Sequence, residues 1–295
     1  MGIGALGSLF AARLVQAGHH VSMLGSWKEG LDAIRSNGLQ FIDSKGTQHS
    51  FQVDVIDDPR ARIDFKHALV LVKGWQTERA ATQLKECLAL DGLAVTLQNG
   101  LGNRETLIRS LGPARVALGV TTAGATLLGP GSVKAGGEGP ISIERNQALG
   151  PLEAALQSAG FKVRVVDNAQ SLVWGKLVIN AAINPLTALL RVPNGELLER
   201  RSARELMGEL ARETARVAQA EGIELPFEDP AAAAEEVARK TAANQSSMLQ
   251  DVLRGAPTEI DSICGAVVKY GEKHGISTPV NWGLWKLVAA IHRQG

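Results

Sequence analysis

The sequence has few cysteines and no excess of charge of either sign. Only Cys87 and Cys264 occur, far apart and without a metal-ligand spacing. This pattern argues against a disulfide framework and favours a reducing compartment such as the cytoplasm. With 31 basic and 30 acidic residues in 295, and no run of Lys or Arg, the chain lacks the basic patch that tracks a nucleic-acid backbone. We therefore expect no nucleic-acid partner.

Long hydrophobic runs are also missing. Apolar stretches such as 69–72 and 177–183 are too short to span a bilayer. The N-terminus does not show a basic segment followed by an apolar core. We therefore expect neither a membrane partner nor export. What is present, 45% hydrophobic and 21% charged residues, fits a globular protein, and the length predicts two domains.

The order of predicted elements changes character near residue 167. Before it, short apolar strands such as 68–73 and 92–100 alternate with helices, for example over 76–90. This alternation predicts an α/β fold, a Rossmann-like doubly wound parallel sheet, with a possible antiparallel edge within 116–145. After it, helical windows predict an all-α domain, so the expected domains are 1–167 and 168–295. The predicted helices of the second domain are 169–190, 195–221, 230–254, 257–274 and one near 281–293.

A glycine-rich loop stands at the very start of the chain, where Gly2, Gly4 and Gly7 spell G-x-G-x-x-G. Such a loop seats a dinucleotide pyrophosphate at a helix N-terminus, although a lone match also fits a flexible glycine-rich terminus. The strand that normally precedes it would need about five residues, and only Met1 is present. We expect from this that the first strand is truncated and that the native chain begins upstream. The loop residues predicted to bind the cofactor are Gly2, Ile3, Gly4, Ala5, Leu6 and Gly7.

The end of the second predicted strand favours NADP over NAD. An acidic residue there would bind the ribose 2′-hydroxyl of NAD, but the sequence runs Gly25, Ser26, Trp27, Lys28, with no acid until Glu29. Lys28 could meet the 2′-phosphate and Ser26 could hydrogen-bond it. Lys28 could equally be a solvated lysine in the first turn of a helix.

Two more segments follow predicted strands at the edge of the sheet where ligands bind in this architecture. Lys73 and Gln76 lie in the segment VKGWQT, and Asn99 lies in LQNGLG. We predict that Lys73 and Asn99 contact cofactor or substrate. Lys73 could instead merely end a strand at the surface, and Asn99-Gly100 is also an ordinary turn signal.

The sharpest constellation lies in the second half. Lys176, Asn180 and Asn184 recur every four residues on one stripe of an otherwise apolar helix. Buried amides and ammonium groups need partners or water, so the stripe lines a wet cleft or forms a polar seam between helices. A lysine in a partly apolar cleft can act as a general acid, and neighbouring amides can orient a hydroxyl or carboxylate.

A later segment, residues 244–261, adds two candidates. Ser247 lies near a helix, and Glu259 follows Pro257, which predicts a place for Glu259 in the first turn of the next helix. A first-turn glutamate often only complements the helix dipole, and that interpretation stays open here.

Taken together, these motifs resemble the ketopantoate reductase (2-dehydropantoate 2-reductase) family over nearly the whole chain. The most specific parts are KLVINAAINPLTAL, VPNGEL, and SSMLQD followed by TEID. The resemblance implies NADPH-dependent reduction of ketopantoate to (R)-pantoate, with Lys176 as proton donor. It implies substrate binding by Asn180, Asn184, Asn194 and Ser247, contacts of Asn99 and Glu259 with both cofactor and substrate, and NADPH binding by the glycine loop, Lys73 and Ala125.

The chain departs from the family pattern in its absent first strand and in Ser26, which replaces a frequent arginine. Phosphate recognition would then fall to Lys28 or Lys73. Other possibilities remain open: a reductase of another small 2-oxo acid, a β-hydroxyacid dehydrogenase, or a non-catalytic NADP-binding protein. A homodimer is also possible.

Overall fold

The computed structural model describes residues 1–291, which form two compact units. The first unit comprises residues 1–98 and 103–169, and the second comprises residues 99–102 and the chain from residue 170 onward. The chain thus leaves the first unit for four residues, returns, and leaves it again after Ala169.

The first unit contains strands and helices in alternation, as the sequence pattern predicts. Its helices are α1 (Ala5–Gln16), α2 (Lys28–Asn37), α3 (Thr77–Cys87), α4 (Asn103–Leu111) and α5 (Gly150–Ser158). Its strands are β1 (Ser22–Leu24), β2 (Leu39–Ile42), β3 (Gln48–Phe51), β4 (Asp54–Ile56), β5 (Phe65–Val70), β6 (Leu88–Thr96), β7 (Val116–Thr121), β8 (Ala125–Gly129), β9 (Ser132–Ala135), β10 (Ile141–Glu144) and β11 (Val163–Val166).

The main sheet has the strand order β11-β10-β7-β6-β5. Strands β5, β6 and β7 are parallel, whereas β10 pairs antiparallel with β7, so the predicted antiparallel edge is present. Leu93, Ala94 and Val95 of β6 are fully buried because helices cover both faces of a doubly wound sheet. The structure therefore confirms the Rossmann-like fold class.

Met1 and Gly2 lie between β1 and β5, at the place that the first strand takes in this fold. The Met1 amino group donates to the Leu69 carbonyl at 2.8 Å, and the Leu71 N–H donates to the Met1 carbonyl at 2.9 Å. On the other side, the Gly2 N–H donates to the Leu24 carbonyl at 2.8 Å. Residues 1–4 form no regular strand, and these hydrogen bonds fix the start of the glycine loop between β1 and β5.

A separate four-stranded sheet, in the order β3-β2-β9-β8, was not predicted from the sequence. It mixes an antiparallel β2-β3 pair, a parallel β2-β9 pair and an antiparallel β8-β9 pair. Residues of β3 alternate between exposed and half-buried, which gives a weak apolar pattern. Val133 and Phe41 of this sheet pack with Leu9 of α1, so the sheet covers that helix.

The described part of the second unit contains helices joined by turns and loops and has no strand, in agreement with the all-α prediction. Its helices are α6 (Gln170–Leu190), α7 (Glu196–Glu199), α8 (Arg201–Ala220), α9 (Pro230–Lys240), α10 (Ser247–Leu253), α11 (Cys264–Lys273) and α12 (Pro279–Ala289). The predicted last helix reached residues 292 and 293, which lie outside the described residues.

Three of the predicted helices have different bounds. The window 195–221 is interrupted at Arg200, whose backbone is extended, and 230–254 is split by turns because Ser246 caps a new helix. The window 257–274 begins late, since α11 starts only at Cys264 after Ile263 leaves the helical region. The prediction that Glu259 lies in the first turn of this helix is therefore wrong.

Helix α6 forms the centre of the second unit. Trp174, Leu177 and Ala181 pack into one apolar cluster, and Val178 and Ala182 pack into a second. By length and composition this helix could cross a membrane, with a mean hydropathy of 1.3 in its most apolar window, of which 72% is buried within the protein. A core helix passes the same test, and the burial of α6 is that of a core helix.

Candidate active site

The backbone of the glycine loop in the first unit packs closely on itself at Gly2 and Gly7. Gly2 has a φ of +106°, which favours glycine. A Cβ on Gly7 would lie 2.1 Å from the Gly2 carbonyl oxygen, so no side chain fits there. A Cβ on Gly4 would meet no protein atom within 4 Å, which leaves the loop open to a ligand at that point.

Helix α1 begins within the glycine loop, at Ala5. Gly4 is its N-cap residue and provides no side chain to cap it. The first amides of an α-helix have no partner within the helix, and together with the helix dipole they attract phosphate. The N–H groups of Ala5, Leu6 and Gly7 belong to this first turn of α1, where the sequence predicts cofactor binding.

Several predicted cofactor residues share one apolar cluster in the first unit. Ile3 belongs to its buried core, and Ala5, Leu6, Trp27 and Ala125 pack against that core. The side chain of Ile3 fills the space beside Gly25, where a Cβ would lie 2.9 Å from it. The glycine loop and the end of β1 are therefore adjacent.

The residues after β1 are compatible with both interpretations of Lys28, as a ligand of the 2′-phosphate and as a solvated lysine. Lys28 is the first residue of α2, and both it and Ser26 are exposed. The Trp27 ring covers Gly30, whose Cβ would lie 2.5 Å from the ring. An exposed lysine at this position is free to meet a phosphate and is also the ordinary state of a surface lysine.

A polar network that the sequence analysis missed holds the ends of β5 and β6 together. Gln98 Nε2 donates to the Val72 carbonyl at 3.0 Å and lies 2.8 Å from Thr77 Oγ1. Thr77 Oγ1 in turn lies 2.7 Å from Asn103 Oδ1. Lys73, between these groups, donates its backbone N–H to the Gln76 side chain at 3.3 Å. No spacing in the sequence signals this network, because its members come from separate loops.

In the second unit, α6 places Lys176, Asn180 and Asn184 on one stripe, as predicted. Lys176 and Asn180 are partly buried, and Asn184 is 6% exposed. Burial of Lys176 lowers the pKa of its ammonium group from 10.5 to about 8, and the nearby Glu259 carboxylate opposes this change.

Glu259 and Asn99 meet in the same unit. Asn99 Nδ2 donates to Glu259 Oε2 at 3.1 Å, and Glu259 is 6% exposed. The loop of Asn99 is docked by its backbone, since the Leu101 N–H donates to the Ser262 carbonyl at 3.0 Å. Glu259 lies in the turns before α11, where its carbonyl accepts from Ser262 and Ile263. Glu259 thus interacts with both other residues: it accepts a hydrogen bond from Asn99 and attracts the Lys176 ammonium group electrostatically.

Asn194 belongs to a second group, built on two loops that hydrogen-bond to each other. The Asn194 N–H donates to the Asn244 carbonyl, and Gly195 donates to the Ala242 carbonyl. Asn194 Nδ2 donates to Thr241 Oγ1 at 2.9 Å, while its Oδ1 is buried without a partner among the described residues. A buried amide oxygen without a partner costs free energy unless a ligand or water satisfies it.

The two serines before α10 have different environments. Ser247 is the first residue of the helix and is exposed, as a ligand-binding hydroxyl can be. Ser246 is buried and caps the helix, and its hydroxyl lies 2.7 Å from Thr187 Oγ1 of α6. The sequence analysis did not identify this hydroxyl pair. Among residues 1–291, no group of three or more His, Cys, Asp or Glu residues is placed to hold a metal ion.

Two family models match this chain. Residues 1–148 match the model described as "Ketopantoate reductase PanE/ApbA", and residues 168–292 match "Ketopantoate reductase PanE/ApbA C terminal". The 2-dehydropantoate 2-reductase of Halobacterium salinarum is 37% identical over 100% of this chain and 98% of its own length. The enzyme of the same name from Archaeoglobus fulgidus is 38% identical over 99% of this chain and 96% of its own length.

Solved structures resemble the chain over nearly its full length. A PanE/ApbA family ketopantoate reductase from Ralstonia eutropha has a TM-score of 0.91 and 34% identity, covering 99% of this chain and 96% of its own. A ternary structure of D-mandelate dehydrogenase with NADH and anilino(oxo)acetate has a TM-score of 0.92 and 28% identity, covering 98% and 96%.

Proposed function

This chain belongs to the ketopantoate reductase family, and from that membership we propose that it reduces 2-dehydropantoate to (R)-pantoate with NADPH. The observation that carries the proposal is the partly buried Lys176, whose pKa is lowered to about 8, on one helical stripe with Asn180 and Asn184. In this proposal residues 1–167 bind the cofactor and residues 168–295 bind the substrate.

Lys176 is the proposed proton donor. Reduction of a ketone places negative charge on its oxygen, which must receive a proton as the alcohol forms. An ammonium group with a pKa of about 8 is still protonated at neutral pH and releases its proton more readily than an ordinary lysine. The Glu259 carboxylate favours the charged form of Lys176, because it opposes in part the effect of burial on the pKa.

The proposed substrate contacts are amides and one hydroxyl. Asn180 and Asn184 extend the stripe of Lys176, and Ser247 presents an exposed hydroxyl at the start of α10. Asn194 retains a buried side-chain oxygen that accepts no hydrogen bond from the described residues. Hydroxyl groups of ketopantoate or pantoate are suitable donors for that oxygen.

The glycine loop fits a dinucleotide. Its closed backbone, the open space at Gly4 and the first amides of α1 form a phosphate cradle that side chains would fill. The chemistry that NADPH supplies when bound is a hydride for the ketone carbon. We propose that Gly2–Gly7, Lys73 and Ala125 hold the cofactor, that Lys28 meets its 2′-phosphate, and that Asn99 and Glu259 contact both cofactor and substrate.

The test is oxidation of NADPH, followed at 340 nm, with ketopantoate and with 2-oxoisovalerate, which lacks the hydroxymethyl group. We expect turnover with ketopantoate to exceed turnover with 2-oxoisovalerate, and NADPH to be used better than NADH. Binding of NADPH without turnover of any 2-oxo acid would instead favour a non-catalytic NADP-binding protein.

A second candidate is reduction of another 2-oxo acid with NADH. It is favoured by the TM-score of 0.92 with D-mandelate dehydrogenase in complex with NADH and anilino(oxo)acetate. Ser26, in place of the family's frequent arginine, also weakens the case for a dedicated 2′-phosphate site. Turnover of phenylglyoxylate with NADH above that of ketopantoate with NADPH would establish this candidate.

We also propose that the protein acts in the cytoplasm and forms a homodimer. Two buried free cysteines are consistent with a reducing compartment. Analytical ultracentrifugation of the purified chain measures the oligomeric state, and a monomer at micromolar concentration would contradict the dimer.

A further inference from the structure

A pair of buried hydroxyls links the C-terminal half of α6 to the start of α10. Thr187 is fully buried in α6, and Ser246, the N-cap of α10, is 6% exposed. Their oxygens lie 2.7 Å apart although the residues are 59 positions apart in the sequence. Two hydroxyls are seldom left in an apolar core unless each has a partner.

The hydrogen bonds around this pair form a continuous chain with one consistent direction. Thr187 Oγ1 lies 3.0 Å from the Asn184 carbonyl and 3.1 Å from the Ile183 carbonyl, to which it can donate only one proton. Both hydroxyl protons are used when Thr187 donates to one of these carbonyls and accepts from Ser246, which itself accepts from the Leu249 N–H at 3.0 Å. In this arrangement the chain of hydrogen bonds runs from the first turn of α10 to the backbone of Asn184.

Both ends of this chain adjoin proposed substrate-binding residues. Asn184 supplies one terminal carbonyl, and Ser247 is the residue directly after Ser246. Pro185 has no N–H and so weakens the helical bonding of α6 just after Asn184. The hydroxyl pair provides a fixed link at a point where the helix alone holds the backbone less firmly.

We propose that Thr187 and Ser246 are positioning residues that set the distance between Asn184 and Ser247 and thereby the affinity for the substrate. The proposal rests on the proposed function of Asn184 and Ser247. Neither hydroxyl touches the substrate in this account, since both are buried in the protein. Their effect is on substrate binding rather than on proton donation by Lys176.

The test compares Thr187→Val, which keeps the shape of the side chain and removes its hydroxyl, with Thr214→Val. Thr214 is a matched control because it is also fully buried and donates to the carbonyl four residues earlier, Leu210, at 2.8 Å, without joining two helices. We expect Thr187→Val to raise the KM for ketopantoate about tenfold, with kcat and the KM for NADPH changed less than about twofold. Thr214→Val should leave all three values within about twofold of the wild type.

Two further measurements separate positioning from general destabilisation. Thr187→Ser restores the hydroxyl and should return the KM to near the wild-type value. Hydrogen exchange of the Leu249 amide, measured without any substrate, should become faster in Thr187→Val and stay unchanged in Thr214→Val. If Thr187→Val does not fold, Thr187→Ala, which favours a helix, replaces it in both measurements.

The outcomes distinguish this proposal from the proposed function. An active wild type with an unchanged KM in Thr187→Val, or equal effects in the two valine variants, would overturn the positioning role alone. A wild type inactive on ketopantoate would overturn the proposed function, and faster exchange at Leu249 in Thr187→Val would then still support the link between α6 and α10. Unchanged exchange at Leu249 would overturn that link.

Discussion

The glycine loop and the α6 stripe use opposite kinds of groups. In the first unit, the candidate site consists of backbone amides, of the open space at Gly4 and of a close backbone contact at Gly7 that leaves no room for a side chain. In the second unit, the site consists of side-chain ammonium, amide and carboxylate groups, such as Lys176, Asn184 and Glu259. Substitutions in the glycine loop should therefore affect NADPH binding sterically, and substitutions in the α6 stripe should affect the reaction through the lost functional groups.

The largest expected effect tests the chemical side of this comparison. Lys176→Ala should lower kcat by about a thousandfold, because general acids contribute roughly 10²–10⁴ to the rate. The dissociation constant for NADPH, measured by its fluorescence on binding, should stay within about twofold, because the loop is untouched. Lys240→Ala, at an exposed lysine of α9, serves as the control. Loss of NADPH binding in Lys176→Ala would contradict the assigned role.

The next prediction tests the steric side. Gly7→Ala places a methyl group 2.1 Å from the Gly2 carbonyl, so the loop must open. We expect the dissociation constant for NADPH to rise about a hundredfold, as misplacement of a binding group by about 1 Å can cause. Isothermal titration calorimetry measures this change.

Gly150→Ala is the matched control for Gly7→Ala. Gly150 lies in the first turn of α5, and a Cβ there meets nothing within 4 Å. NADPH affinity should be unchanged in this variant. Tight NADPH binding by Gly7→Ala would show that the loop does not form the phosphate cradle.

A moderate effect is expected from pH. Lys176 must be protonated to donate, and its pKa is lowered to about 8. We therefore expect kcat/KM for ketopantoate to be level below pH 8 and to fall about tenfold per unit at higher pH. A profile that stays level to pH 10 would indicate that another group supplies the proton.

A smaller effect is expected when Glu259 loses its charge. In Glu259→Gln the carboxylate no longer supports the Lys176 ammonium, so the pKa of Lys176 should fall further. The alkaline limb of the pH profile should move to lower pH by up to about one unit. A limb that moves to higher pH would have the wrong sign for this interaction.

The smallest effect concerns stability. Because the pKa of Lys176 is about 8 in the folded protein and 10.5 ordinarily, the unfolded chain binds more protons between these values. The free energy of unfolding should therefore gain a contribution that rises with pH from about 8 to about 10.5. The free energy of unfolding, measured with urea at a series of pH values, should depend on pH with different slopes in the wild type and in Lys176→Met across this window. Parallel pH dependences would contradict the lowered pKa.

Sequence patterns correctly predicted the strands and helices whose apolar residues follow a regular spacing. The strands β5 and β6 and the helix α6 lie within a few residues of their predicted positions, because short apolar segments determine the strands and a helical apolar pattern with one polar stripe determines α6. Strand β3 was missed because its residues alternate between exposed and half-buried. Glu259 was misplaced because proline and an acidic residue also occur in turns. The Thr187–Ser246 pair joins residues far apart in sequence, and no local pattern predicts such a contact.

The two cysteines give each unit its own reporter of local opening. Cys87 lies in the first unit and Cys264 in the second, and both are free and buried. Burial raises the pKa of both thiols, so the reactive thiolate is scarce in the folded protein. An alkylating reagent can modify them only when the surrounding structure opens. The rate of alkylation at each thiol therefore measures how often its own unit opens, and a nucleotide or a 2-oxo acid that slows one rate and not the other reveals the unit to which it binds.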